Sequence, residues 1–378
     1  MKLLYKILRQ QPGTRDGTVI VTSAIGIIVN LLLAAVKIVV GALASSIAIV
    51  SEGINNASDS ASSLITIVGT KLSGKSPTKE HPFGFGRVEY LTSLIVALLI
   101  LITGAELLIS SVKLVISPAE ISVSYVSLAV VAVSAAVKLL LGSYTIGKGK
   151  AVSSGTLIAV GTDCRNDSVV SAVTIASALV FLLFRYSVDA WAGIVTSGFI
   201  LKSGFDVLSD TIGKILGEPA DKELADKIYK EVRDTPCVIN AADMMLHNYG
   251  PDYYSGSVNI EIDHDKTMGE VYEIIHDLQL RIMYRYGVVM VFGMYAVDSD
   301  DPEQRELRRV IARFVAGYDH VVSYHALYLP QEKKQVYCDL VVDYELKDRD
   351  ALEADFRALI AEKYPGYEVI LTIETEYV

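Results

Sequence analysis

Six apolar blocks, each about twenty residues long or more, occupy most of residues 19–208 of this chain. A bilayer core about 30 Å thick takes roughly 20 helical residues to cross. Inside it no water can satisfy a loose backbone group, so such blocks must close their hydrogen bonds internally, as helices. The blocks run from Val19 to Val40, Ile47 to Leu72, Tyr90 to Val115, Val123 to Leu141, Thr156 to Phe184 and Trp191 to Leu208. The first is too long for a cleavable signal peptide and has no small-residue cleavage site behind it. The expectation is an α-helical membrane protein with six transmembrane helices.

Orientation follows from the Lys/Arg bias of the connecting segments. Lys2, Lys6, Arg9 and Arg15 precede the first block; Lys71, Lys75, Lys79 and Arg87 lie between the second and third; Lys148 and Lys150 lie between the fourth and fifth. The other side offers little beyond Lys113 and Arg185. Both termini are therefore expected in the cytoplasm, with the chain in the cell membrane.

Beyond Gly217 the pattern changes. Residues 1–214 carry 17 Lys and Arg against 12 Asp and Glu, whereas residues 215–378 carry 17 against 32. The second part reads as water-soluble and acidic, which argues against nucleic acid as a partner, because that needs a basic face. Cys164, Cys237 and Cys338 lie far apart, so neither a disulfide framework nor a thiolate zinc site is expected. The periods of this half mix helix and strand. Asp221–Arg233 reads as a helix, Val258–Ile262 as a strand, Met268–Arg285 as a helix and Val288–Ala296 as a strand. After the acidic break at Asp298–Glu303 the order recurs: helix at Glu303–Val315, strand near His325–Leu329, strand at Gln335–Tyr344, helix at Asp350–Lys363 and strand at Glu368–Tyr377. This gives three expected domains, 1–214, 215–300 and 301–378, the last two being α+β units of similar size, with one larger α+β domain as the alternative.

Chemistry is concentrated in the second and fifth blocks. Asn55 and Asp59 are four apart, as are Asp163 and Asp167, so each pair projects from one helix face about 6 Å apart along the axis. An intramembrane charge costs at least ~2.5 kcal/mol and persists where it has a partner or a function. Two such faces opposed place four oxygen-bearing side chains around one point, and three carboxylates there call for a divalent cation. Removing the cation favours protonation, which sketches an exchange of metal for protons. The six histidines lie outside the blocks, so the donors are carboxylate and amide oxygens, suited to Mg²⁺, Ca²⁺ or Mn²⁺. Glu52 and Asn56 are expected in a vestibule or a helix contact. Lys37, Glu106 and Lys138 read as helix-pairing ions, and Arg165 could neutralise one aspartate.

Ser46-Ile47-Ala48-Ile49 ahead of the Asn55/Asp59 pair, His81-Pro82-Phe83-Gly84-Phe85-Gly86-Arg87-Val88-Glu89-Tyr90-Leu91, and the Asp163/Asp167 pair together resemble signatures of the cation diffusion facilitators. So do Gly217-Glu218-Pro219-Ala220-Asp221 and His247-Asn248-Tyr249-Gly250-Pro251. The resemblance, over residues from about 10 to 297, implies a homodimeric six-span exporter that swaps a divalent cation for protons by alternating access. It further implies a ferredoxin-like cytoplasmic domain. The transport site it implies falls on Asn55, Asp59, Asp163 and Asp167. The absence of histidine from both first positions is similar to the bacterial manganese-exporting branch. No tightly bound cofactor is implied; Mn²⁺ and H⁺ are the transported ions.

The departures are informative. Phe85 stands where zinc-transporting members have a loop histidine, and Asn259, Tyr272 and Gly293 stand where their soluble zinc ligands fall, so both sites are expected to be lost. Residues 303–378 lie beyond the usual family length and read as a second ferredoxin-like repeat replacing metal-mediated dimer contacts. Arg87 and Asp210 match an inter-helix ion pair of the family. The alternatives are an iron(II), zinc or cobalt exporter on the same scaffold, or a non-transporting membrane sensor. No nucleophile–base set or phosphate loop points to an enzyme.

Overall fold

The computed structural model describes residues 2–8, 10–43, 47–117, 125–184, 188–219, 221–250 and 253–375. The block start Val123, the loop cation Arg185, the motif residues Ser46, Ala220 and Pro251, and the strand end Tyr377 lie outside the described residues. Two compact units emerge: Met1–Glu218 with Tyr249–Asp252, and Pro219–Asn248 with Tyr253–Val378.

The first unit is helical. A short α1 (Lys2–Ile7) precedes α2 (Arg15–Leu43), α3 (Ile47–Ser73), α4 (Val88–Ile116), α5 (Tyr125–Ala151), α6 (Gly155–Phe184) and α7 (Asp189–Leu216). Among the described residues, α2, α4, α6 and the Leu128–Ala151 stretch of α5 are long and apolar enough to cross a membrane. α3 and α7 are as long, but their polar residues, Glu52, Asn55, Asn56 and Asp59 in α3 and Lys202, Asp206 and Asp210 in α7, dilute their apolar character. α5 runs ten residues past the expected Leu141, through Lys148 and Lys150.

The main helix pairs are α2 with α3, α4 with α7 and α5 with α6. Small residues set the α5–α6 spacing, since close backbone approach is how helices associate in lipid. A β-carbon on Gly142 would lie 2.8 Å from the carbonyl oxygen of Gly161, and one on Gly161 would lie 2.9 Å from that of Gly142. Lys37 of α2 pairs with Glu52 of α3 at 3.2 Å, the expected helix contact. At the start of α4, the buried Glu89 receives the Arg15 guanidinium at 2.6 Å, while Arg15 Nε donates to the carbonyl of Val152. The motif glutamate thus joins α2, α4 and the α5–α6 turn.

The second unit begins with α8 (Lys222–Arg233), followed by β1 (Val238–Asn248), β2 (Tyr254–Asp263), α9 (Met268–Tyr286) and β3 (Val288–Val297). It continues with α10 (Pro302–Gly317), β4 (Val321–Tyr328), β5 (Gln335–Val342), α11 (Arg349–Lys363) and β6 (Glu368–Thr375). The helix starts are written in the sequence: a Thr267/Glu270 capping box opens α9, and Asp301 followed by Pro302 opens α10. The strands form two three-stranded sheets, ordered β1-β2-β3 and β4-β5-β6. In each sheet the first pair is antiparallel and the second parallel, the helix between supplying the crossover that parallel strands require. Val258, Ile260, Leu278 and Ile282 centre one core; Leu340, Leu307, Phe356 and Ile360 centre the other.

The two halves correspond in detail. Ala242 faces Asn259 across β1 and β2, as His325 faces Asp339 across β4 and β5. The register slips just beyond, between Ala242 and Met245 and between His325 and Tyr328. At each slip one residue turns left-handed, Asp243 and Ala326, both with φ 54°. Such bulges re-aim side chains at the cost of regular alternation.

Candidate metal site

Asp59 on α3 and Asp163 and Asp167 on α6 converge: one carboxylate oxygen from each lies within 4.8 Å of the others. The i,i+4 spacing on α6 points Asp163 and Asp167 the same way. At such separations each like-charge pair repels by roughly 3–4 kcal/mol for an effective dielectric of about 20. A cation therefore belongs among them, and the protein supplies one of its own. The Lys138 ammonium, from α5, lies 2.6 Å from Asp59 Oδ2 and 2.5 Å from Asp167 Oδ2, with the lysine side chain only 4% exposed. On α5 the close seam with α6 lies one turn beyond the lysine, at Gly142 against Gly161. One ammonium offsets only one of the three negative charges when all the carboxylates are ionised.

Lys138 pairs helices, as expected of an intramembrane lysine, and it does so through the acidic cluster itself, reaching Asp59 on α3 and Asp167 on α6. Its position in the middle of an apolar block was the available signal. Arg165, which could have neutralised one aspartate, is exposed. Asn55, one turn before Asp59, is also exposed, and Asn56 is buried with its amide nitrogen unsatisfied. Glu106 is exposed. Asp210 pairs within its own helix with Lys214 at 2.6 Å, and the Arg87 guanidinium lies 4.7 Å from the Tyr249 ring centre.

Helices long and apolar enough to cross a membrane mark a membrane protein, and comparison with known proteins gives its class. Residues 23–216 match the cation efflux transmembrane domain. An uncharacterized transporter of Methanocaldococcus jannaschii is 31% identical over 261 residues, spanning 69% of this chain and 90% of the relative. The manganese efflux system protein MneP of Bacillus subtilis is 25% identical over 272 residues, 70% of this chain and 91% of that one. The magnetosome protein MamB of Paramagnetospirillum magneticum is 27% identical over 216 residues, 57% and 73% respectively. The chain belongs to the cation diffusion facilitator family of metal cation efflux transporters.

Proposed function

We propose that this protein exports a divalent cation, Mn²⁺ foremost, from the cytoplasm in exchange for protons, by alternating access at Asn55, Asp59, Asp163 and Asp167. The observation that carries the reading is the meeting of three carboxylates from α3 and α6 around the Lys138 ammonium. An ammonium has no lone pair to give a metal, so an arriving ion takes its place among the oxygens. Lys138 then acts as a tethered counter-charge that keeps the cluster intact between transport events. The all-oxygen donor set supports a hard ion such as Mn²⁺, and two relatives carry the name manganese efflux system protein. We further infer that α2 to α7 are six spans, that both termini face the cytoplasm of a cell-membrane homodimer, and that 1–214, 215–300 and 301–378 act as three domains.

In a manganese-sensitive host lacking its own exporter, the wild-type chain should restore growth on manganese, and Asp59→Ala or Asp163→Ala should abolish that rescue at equal membrane expression. Full rescue by either variant would remove the proposed site.

A further inference from the structure

A second cluster in the acidic unit has no part in this transport scheme. His325 on β4 is 2% exposed, and its Nε2 lies 2.8 Å from Asp243 Oδ1 on β1, 3.2 Å from Glu374 Oε1 on β6 and 3.7 Å from Asp339 Oδ2 on β5. Yet Nε2 has no partner in hydrogen-bonding geometry. The nitrogen is aimed into the space between the carboxylates rather than at any one of them. For donors about 2.1 Å from one octahedral ion, adjacent donors sit about 3.0 Å apart. The distances from Nε2 to Asp243 and Glu374 straddle that spacing.

We propose that Asp243, His325 and Glu374, with Asp339 beside them, form a resident site for a divalent first-row transition metal ion that clamps the two β-sheets of the acidic unit together. One imidazole with two or three carboxylates suits Mn²⁺, Fe²⁺ or Zn²⁺, whereas Mg²⁺ and Ca²⁺ favour oxygen alone. The outer oxygen of Asp243 is already fixed, accepting from Asn259 Nδ2 at 2.8 Å, and Asn259 also donates to the Tyr295 hydroxyl at 3.0 Å. Such support orients ligands in metal sites. A cavity of about 590 Å³, lined in part by Asp243, Met244, Tyr324 and His325, gives an ion a way in. The site joins residues of both halves, so it differs in kind from the lost zinc positions at Asn259, Tyr272 and Gly293. It does not depend on the transport reading.

The test is pulsed electron paramagnetic resonance of Mn²⁺ added to the purified full-length protein in detergent. The intramembrane cluster offers only oxygen, so a directly bound nitrogen, identified by isotopically labelled histidine, separates a histidine site from it. The nitrogen coupling should persist in Asp163→Ala and in His264→Gln, which alters an exposed Asp-His-Asp turn, and should vanish in His325→Gln. Absence of nitrogen coupling in the wild type, or its survival in His325→Gln, overturns the proposal, with His325 then only a counter-ion to the carboxylates. Should His325→Gln fail to fold, Glu374→Gln decides: the nitrogen should remain while Mn²⁺ binds on the order of tenfold more weakly or worse, and unchanged binding overturns the site. Manganese uptake by vesicles of the same proteins keeps the two readings apart. Uptake without nitrogen coupling defeats this inference alone, and coupling without uptake defeats the transport reading alone.

Discussion

The helical unit and the acidic unit each set three carboxylates around one side chain able to carry positive charge. The difference lies in that side chain. Lys138 is a compact ammonium among oxygens, held by Asp59 and Asp167; as a cation it can offset part of the cluster's charge but cannot be a ligand to a metal. His325 sits among Asp243, Asp339 and Glu374 with a ring nitrogen facing inward, and an imidazole can itself become a ligand. On the proposed reading the lysine leaves when metal arrives, which suits passage. A histidine that can stay suits residence.

Replacing the lysine tests that contrast most severely after loss of a carboxylate. Lys138→Met removes the only cation paired with Asp59 and Asp167 among the described residues. Breaking a buried ion pair from one side costs about 3–5 kcal/mol, so the metal-free protein should unfold several degrees earlier in a thermal scan. The same change removes the competitor for the site, and Mn²⁺ should bind on the order of tenfold more tightly, a gain of about 1.4 kcal/mol, by calorimetry. A variant that binds Mn²⁺ no better would show that the ammonium does not occupy the ion's place.

A smaller effect is expected at Asn55. Asn55→His adds an imidazole one turn from Asp59, and softer donors favour zinc over manganese. The ratio of zinc to manganese transport should rise by about tenfold, roughly 1.4 kcal/mol in relative affinity; an unchanged ratio would place Asn55 outside the site.

The smallest effect comes from an exposed pair that serves as a control for His325. His320 Nδ1 lies 2.9 Å from Asp343 Oδ2. Hydrogen bonding to Asp343 raises the His320 pKa above 6.5, and the same bond lowers that of Asp343 below 3.8. The imidazolium's share of stability is complete below 6.5 and is lost as pH rises through its raised value; the carboxylate's is complete above 3.8 and is lost as pH falls through its lowered value. Thermal scans of wild type and His320→Gln should differ most between those limits and converge outside them. Equal separation at all pH values would count against the pair.

Much of this arrangement was legible in the sequence because the rules behind it are local. Apolar length marked α2 to α7, and fourfold spacing marked Asp163 and Asp167. Asp301-Pro302 and the Thr267–Glu270 box marked helix starts. β1 was missed for a physical reason: its bulge after Ala242 breaks the alternation that betrays a strand, and the bulge residue, Asp243, is the one that meets His325. Lys138 was read as a helix-pairing ion, which it is, but its partners were not legible, because charge in a membrane helix shows that a partner exists without showing which helix supplies it. The partners of Lys138 and of Asp243 lie on elements distant in sequence, where periodicity carries no information.

The most direct measurement is manganese flux into inverted membrane vesicles under an imposed proton gradient, comparing wild type with Asp59→Ala and Asp163→Ala. The account predicts accumulation by the wild type that collapses with the gradient, and none above protein-free vesicles for either variant. Wild-type rates in both variants would contradict it.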